Sequence, residues 1–186
     1  MTYIALLRGI NVSGHKIIKM ELLRKMLENL NFENVRTYIQ SGNVVFKTSV
    51  SSISEIEKRI KDGIQNEFGF EVYVKVLTPK ELNESLDKNP FLKDDSLDLK
   101  QHYFAFLDQI PIAENWEILK NLDLGREKIE VDGKVLFVHY TNGAGKSKLS
   151  NSLIESKLKL KSTMRNLNTV HKLIEMTKSE LNESGA

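Results

Sequence analysis

The order of hydrophobic periods along the chain is the feature that most constrains its fold. Residues 3–7 form an apolar run typical of a strand, and a glycine-bearing loop follows it. The next apolar residues recur at helical spacing, at Met20, Leu23, Leu27 and Leu30. Residues 35–40 and 44–47 then flank Ser41, Gly42 and Asn43, a short turn-forming link that predicts an antiparallel hairpin.

A second helix and a further strand complete this pattern. Ser52 with Glu55 three residues later is a capping-box signature, and Gly69 suits the left-handed residue that ends a helix. The apolar positions between them are Ile53, Ile56, Ile60 and Ile64. Alternating residues 70–77 predict a strand. The order βαββαβ predicts a ferredoxin-like motif.

The second half of the chain repeats this order without detectable sequence repetition. Residues 103–107 read as a buried strand and residues 112–122 as a helix. Asp132-Gly133, between two apolar segments, predicts a hairpin with a type I′ turn. Two amphipathic helices follow, one with Leu149, Leu153, Ile154 and Leu158, the other with Val170, Leu173, Ile174, Thr177 and Leu181.

We therefore predict an α+β protein with two ferredoxin-like βαββα(β) halves and an additional C-terminal helix. Residues 1–88 form the first half with a following helix, in which Thr78, Pro79 and Glu81 mark the helix start. Residues 89–99 lack a sustained period and are expected to be a linker. Residues 100–186 form the second half with its extra helix.

Composition excludes several classes of protein. The 186 residues include no cysteine, which excludes disulfide scaffolds, thiol catalysis and thiolate-bound metals. No stretch approaches the roughly 18 apolar residues of a membrane-spanning helix. The sequence therefore predicts a cytoplasmic protein that does not act in a membrane.

Residues 141–172 carry a local excess of positive charge. Residues 141–172 carry seven basic side chains and one acidic side chain, Glu155. The basic residues are Lys146, Lys148, Lys157, Lys159, Lys161, Arg165 and Lys172. Such an excess either faces an anionic partner or solvates a helix, and the sequence leaves both interpretations open.

Three spaced motifs in this order resemble a bacterial family known as domain of unknown function 1697. They are Leu-Leu-Arg-Gly-Ile-Asn-Val at residues 6–12, Arg-Thr-Tyr-Ile-Gln-Ser-Gly-Asn-Val-Val-Phe at 36–46, and Arg-Asn-Leu-Asn-Thr-Val at 165–170. With Lys-Ser-Lys-Leu at 146–149, the similarity spans nearly the whole chain. The resemblance implies an α+β fold with ferredoxin-like elements, and it implies no established activity.

The glycine-bearing segment 141–147 is the first candidate for an anion-binding site. It follows a predicted strand and precedes a helix, an arrangement that presents backbone N–H groups to an anion. A full Walker A motif requires glycine where Tyr140 stands, which argues against an NTPase P-loop. The predicted anion-binding residues here are Gly143, Gly145, Lys146, Ser147 and Lys148. The alternative is a glycine-rich turn with Ser147 as the helix N-cap.

Two further segments supply candidate anion-binding residues. Arg8 and Asn11 lie in the loop after the first strand, where Arg8 offers bidentate contacts to phosphate or carboxylate. The alternative is that Arg8 pairs with an acidic neighbour and Asn11 caps a turn. Arg165 precedes the final helix, for which Asn166 or Asn168 is the predicted N-cap.

No complete catalytic or metal-binding pattern is present in the sequence. His15, His102, His139 and His171 lack the spacing of a zinc site, and each is predicted to be an ordinary edge or surface histidine. Ser41 lacks the flanking glycines of a nucleophile elbow and is predicted to belong to a turn. The sequence names no catalytic residue, metal or cofactor, and it leaves the oligomeric state open.

The function best predicted from the sequence is binding of an anionic, phosphorylated small ligand or a nucleotide. Two alternatives remain, a sequence-tolerant nucleic-acid-binding protein and an enzyme acting on an anionic substrate. A buried histidine or carboxylate with a shifted pKa at the site is the feature expected of the enzyme.

Overall fold

The computed structural model describes residues 1–178, and the first part of that chain forms a four-stranded antiparallel sheet with two helices. The elements are β1 (Thr2–Leu7), α1 (Met20–Asn29), β2 (Glu33–Tyr38), β3 (Asn43–Lys47), α2 (Ile53–Phe68) and β4 (Val74–Leu77). The strand order is β2-β3-β1-β4, and every pair is antiparallel. The predicted ferredoxin-like order βαββαβ is confirmed.

The remaining described elements contain a second sheet of the same topology. They are α3 (Pro79–Asp87), β5 (His102–Leu107), α4 (Ala113–Lys120), β6 (Lys128–Asp132), β7 (Val135–His139), α5 (Asn151–Leu158), β8 (Ser162–Asn166) and α6 (Leu167–Lys178). The strand order is β6-β7-β5-β8, again antiparallel throughout. Because the four strands occupy the same relative positions as in the first sheet, the chain contains two ferredoxin-like halves.

The chain divides into two compact units. One consists of Met1–Leu82 with the described residues that follow Val170, and the other is Asn83–Val170. Residues 89–99 contain a short 3-10 turn at Pro90–Lys93, which Asn89 caps, and a second 3-10 turn begins at Leu99. The domain limits 1–88 and 100–186 stay predictions.

Each unit has a core between its sheet and the helices that cover it. In the first unit, side chains from one face of the sheet pack against apolar residues of α1 and α2, and all are buried: Tyr3, Ala5, Leu7, Val44, Phe46, Leu23, Leu27, Ile56, Ile60 and Ile64. The second unit is built in the same way from Ala105, Leu107, Leu136, Val138, Leu119, Ile154 and Leu158. The helical periods of the sequence therefore predicted the buried faces of α1, α2 and α5, whereas the continuous apolar runs at residues 3–7 and 103–107 predicted strands without singling out a face.

The predicted caps of α2 and α3 are confirmed. The hydroxyl of Ser52 accepts a hydrogen bond from the Glu55 backbone N–H at 3.3 Å, and Gly69 has φ +79°. At the start of α3, both hydrogen bonds of a capping box form. The Glu81 N–H donates to Thr78 Oγ1, and the Thr78 N–H donates to the Glu81 carboxylate. These bonds satisfy backbone donors that a helix start otherwise leaves unpaired.

Two local features differ from the sequence-based expectations. Residues 162–166 form β8, an edge strand that the hydropathy pattern does not indicate. In the β6–β7 hairpin, Asp132 pairs with Val135, so the turn residues are Gly133 and Lys134. Of these two residues only Gly133 has a positive φ (+56°), so the turn is not the expected type I′, which requires positive φ at both positions.

The described helices show no membrane span. None in residues 1–178 is long and apolar enough to cross a bilayer. The final predicted helix is present as α6, and the expected position of Leu181 within it lies outside the described residues.

Candidate functional site

The segment from Thr141 to Lys148, here called the glycine loop, leaves β7 and returns to the core at Leu149. Two groups fasten its ends. Tyr140, a buried residue directly after β7, donates its hydroxyl to the Leu149 carbonyl at 2.7 Å. Thr141 donates its backbone N–H to Glu127 Oε2 and its hydroxyl to the Arg126 carbonyl, both at 2.7 Å. The residue that rules out a Walker A motif therefore acts as a structural anchor of the loop.

The middle of the glycine loop has backbone donors without protein acceptors. A short 3-10 turn spans Ala144–Lys146, and Gly143 enters it with φ +88°, a conformation that favours glycine. Within the described chain, the backbone N–H groups of residues 142–145 donate to no protein acceptor, whereas those of Lys146 and Ser147 bond within the turn. Four consecutive N–H groups are therefore available to water or to an anion.

Two lysines flank these donors. Lys146 and Lys148 are exposed, and among residues 1–178 neither has a hydrogen bond or ion pair from its ammonium group. The Ser147 hydroxyl, by contrast, accepts a hydrogen bond from the Leu149 N–H at 3.1 Å. The loop thus combines two unpaired cations with a hydroxyl that already has a partner.

The sequence analysis expected the glycine loop to lead directly into a helix, and the structure differs. Helix α5 begins at Asn151, and its N-cap is Ser150, whose hydroxyl accepts from the Leu153 N–H at 3.1 Å. Ser147 as N-cap is therefore wrong. Both serines precede an apolar helical pattern, and only the path of residues 147–150 decides which of them caps. The donors of the glycine loop act without the α5 dipole.

The loop after β1 is held by Asn11. Its side-chain amide donates to the carbonyls of Ile18 and Gln40, each at 2.9 Å, and its Oδ1 accepts from the Ile18 N–H at 2.8 Å. Asn11 has φ +54°, which asparagine tolerates better than most residues. Both amide donors of Asn11 are therefore used inside the protein, where they fasten the loop. Arg8 is half-buried at the end of β1.

Arg165 lies on β8 as a buried residue. Its guanidinium donates to Thr163 Oγ1 at 2.9 Å and to the Met164 carbonyl at 2.8 Å. Burial lowers the pKa of Arg165 to about 10. Because this value still lies above 7, Arg165 remains cationic at neutral pH. Asn166 is the predicted N-cap of α6, since its Oδ1 accepts from the Thr169 N–H at 2.9 Å.

These residues fall into the two compact units. Arg8 and Asn11 belong to the first unit, whereas the glycine loop and Arg165 belong to the second. Within the second unit, Lys146 and Lys148 of the glycine loop are exposed to solvent, whereas Arg165 is buried. The glycine loop is therefore the segment that presents cations and free backbone donors together.

Sequence reasoning missed two histidines. His102 is fully buried and His139 is 4% exposed, so the expectation of surface or edge histidines is wrong for both. They lie opposite each other on β5 and β7. Each precedes or ends an apolar strand, which could have signalled burial, but only the strand register brings them together. In residues 1–178, no group of three or more potential ligands could hold a metal ion.

Comparison with known proteins identifies the family of the chain. Residues 1–137 match the family model described as "Protein of unknown function (DUF1697)". The chain belongs to this family. The DUF1697 match ends before the glycine loop. A comparison with curated proteins finds no match.

A solved structure extends the similarity to nearly the whole chain. The conserved bacterial protein SP0830 from Streptococcus pneumoniae superposes with a TM-score of 0.74 and 26% sequence identity. The alignment covers 94% of this chain and 97% of that one. The fold with two ferredoxin-like halves is therefore shared beyond the part matched by the DUF1697 family model.

Proposed function

We propose that this DUF1697 protein binds an anionic small ligand, a phosphorylated compound or a nucleotide, at the glycine loop. The observation that carries the proposal is the run of four backbone N–H groups at residues 142–145 without a protein acceptor, flanked by the unpaired cations Lys146 and Lys148. Consecutive backbone N–H groups in a turn form a concave site for anions. We also propose the cytoplasm as the location.

Each part of the loop has a distinct role in this proposal. The N–H groups of residues 142–145 donate to phosphate oxygens, and glycine at 143 and 145 keeps side chains away from them. Lys146 and Lys148 supply point charges, since an ammonium group binds phosphate without the fixed geometry of a guanidinium. The Ser147 hydroxyl keeps its bond to the Leu149 N–H and shapes the loop.

The fastened loop ends favour binding. The bonds from Tyr140 to Leu149 and from Thr141 to Glu127 hold both ends of the loop before a ligand arrives. A loop ordered in advance loses less conformational entropy on binding than a mobile one. Tyr140 therefore supports the site without touching the ligand.

Thermal unfolding in the presence of phosphate tests the proposal. A ligand at 100 times its Kd stabilises a protein by about 2.7 kcal/mol. At about 2 to 4 °C per kcal/mol for a chain of this size, the melting temperature should rise by roughly 5 to 10 °C. Phosphate and sulfate should both raise it beyond a chloride control of equal ionic strength.

Two lysine variants locate the effect. Lys146→Ala should remove most of the phosphate-specific shift because it removes one of two cations at the site. Lys134→Ala removes another exposed lysine, in the β6–β7 turn, and should retain the full shift. An unchanged shift in Lys146→Ala would place the anion elsewhere, and equal shifts in phosphate and chloride would reject a specific site.

A further inference from the structure

His102 and His139 form a buried imidazole pair in the central strands of the second sheet. His102 begins β5 and His139 ends β7, and the two residues are direct cross-strand partners. Their ring centroids are 4.9 Å apart, with the ring planes tilted by 50°. His102 is 0% exposed and His139 is 4% exposed.

The pair lacks the hydrogen bonds that protonation would require. Both ring nitrogens of His102 and Nδ1 of His139 are buried without a partner in the described structure. A protonated imidazole carries two N–H donors, and a buried donor without an acceptor is costly. Burial lowers the pKa of both histidines, and the proximity of His139 lowers that of His102 further.

The charges around the pair come from several neighbouring segments. Lys128 lies opposite His139 on β6 and lowers the pKa of His139. Glu127 and Asp94 raise the pKa of His139, and Asp98 raises that of both histidines. Arg165 on β8 is the cross-strand partner of Phe104 and adds another cation to the sheet face that carries His102. Burial outweighs the carboxylates at both histidines.

We propose that the imidazole pair makes the pairing of β5 with β7 sensitive to pH, so that the two strands stay paired at neutral pH and open locally in weak acid. The closed sheet holds both rings neutral. Opening exposes them to water, where an imidazole takes up a proton at its ordinary pKa of about 6.5. The open state then binds more protons than the closed state, so acid favours opening.

The direction and size of the effect follow from this difference. The stability that the closed state has relative to the open state is at its full value above a pH of about 6.5. It is lost as the pH falls towards the lower pKa of the imidazoles in the closed state. At pH 5.5, protonation of one exposed imidazole raises the opening equilibrium about tenfold relative to pH 7.5. If both rings are exposed, the increase reaches about 100-fold.

Amide hydrogen exchange measures this opening. Peptides covering residues 102–107 and 135–139 should lose protection by about tenfold to 100-fold between pH 7.5 and 5.5, after correction for the intrinsic exchange rate. The variant His102→Phe with His139→Phe should lose this pH dependence, because phenylalanine fills the site and does not titrate. His171→Gln replaces an exposed histidine on α6 and should retain the dependence.

Two results would overturn this proposal. One is wild-type protection of β5 and β7 that does not change between pH 7.5 and 5.5, and the other is an unchanged pH dependence in the double variant. A direct NMR titration of the two imidazoles in the wild-type protein covers the case in which the double variant does not fold. Either ring titrating at or above about 6.5 in the folded protein would contradict the proposal.

Discussion

Gly42 lies so close to Leu7 that a Cβ atom at position 42 would be 2.6 Å from the Leu7 Cβ. The Leu7 N–H donates to the Gly42 carbonyl at 2.8 Å, which brings the backbones together. Gly42 also has φ +77°, a conformation that strains other residues. The motif at residues 6–12 thus meets the motif at residues 36–46 where no side chain fits.

Gly42→Ala should strongly destabilise the first unit. The left-handed conformation costs about 1 to 2 kcal/mol with a Cβ atom, and the overlap with Leu7 adds about 1 to 3 kcal/mol. Urea unfolding of the variant measures the sum. Gly14→Ala is the matched control, because Gly14 has the same φ of +77° and nothing within 4 Å of its added Cβ. It should show only the conformational cost, and equal losses in both variants would refute the steric argument.

Asn166 and Asn168 give a test of the α6 cap. Asn166→Ala should cost about 1 kcal/mol of stability, since its Oδ1 accepts from the Thr169 N–H. Asn168→Ala removes an exposed side chain two residues later and should change stability by less than about 0.5 kcal/mol. Chemical unfolding of the two variants decides between them, and a larger effect at Asn168 would contradict the assigned cap.

Tyr140→Phe should weaken the glycine loop and its response to anions. The substitution leaves the Leu149 carbonyl without its donor, for which we expect about 1 to 3 kcal/mol of lost stability. The phosphate-specific rise in melting temperature should shrink as well, because the loop is less ordered before binding. Tyr103→Phe is the control, a neighbouring tyrosine that packs edge-on against Tyr140. A full phosphate response in Tyr140→Phe would show that the anchor is irrelevant to binding.

The first ferredoxin-like half could be predicted because local signals agree with the tertiary fold. The Ser52 cap and the left-handed Gly69 bound α2, and the apolar periods mark the buried faces of α1 and α2. Strand β8 could not be predicted in this way. Its residues, Ser162 to Asn166, are mostly polar, yet the strand pairs with β5 and its Ser162, Thr163 and Arg165 are buried. Tertiary contacts, which the hydropathy pattern does not contain, determine that strand.

The candidate site was predictable in its residues but only partly in its geometry. The glycines and lysines of residues 143–148 stand out in the sequence. The position of the α5 cap, in contrast, depends on the backbone conformation of residues 147–150. Arg165 shows the same difficulty, since a cation next to a predicted helix is expected at the surface, whereas Arg165 is buried on β8. The pairing of His102 with His139 requires the strand register.

The nucleic-acid alternative makes a separate prediction about salt. Of the seven basic residues in 141–172, Arg165 is buried and Lys172 pairs with Glu175 at 2.7 Å. If the other five neutralised phosphates of a single strand, log K would fall with log salt at a slope of about −3.5. Raising salt from 50 to 200 mM would then weaken binding about 100-fold.

Replacing Lys157, Lys159 and Lys161 by glutamine separates the two functions. The triple variant should lose oligonucleotide affinity and most of the salt slope if the alternative holds. Binding of a small anion at the glycine loop should be nearly unchanged, because Lys146 and Lys148 remain. Fluorescence anisotropy with a labelled oligonucleotide provides the measurement. Absence of binding by the wild-type protein at 50 mM salt would reject the nucleic-acid alternative.

The backbone amide spectrum during a phosphate titration tests the proposed anion site most directly. We expect saturable shifts that are largest at the amides of residues 142–145 and that are lost in Lys146→Ala, with chloride at equal ionic strength producing none. Shifts centred on another part of the chain, or no saturable shifts at the glycine loop, would contradict the proposal.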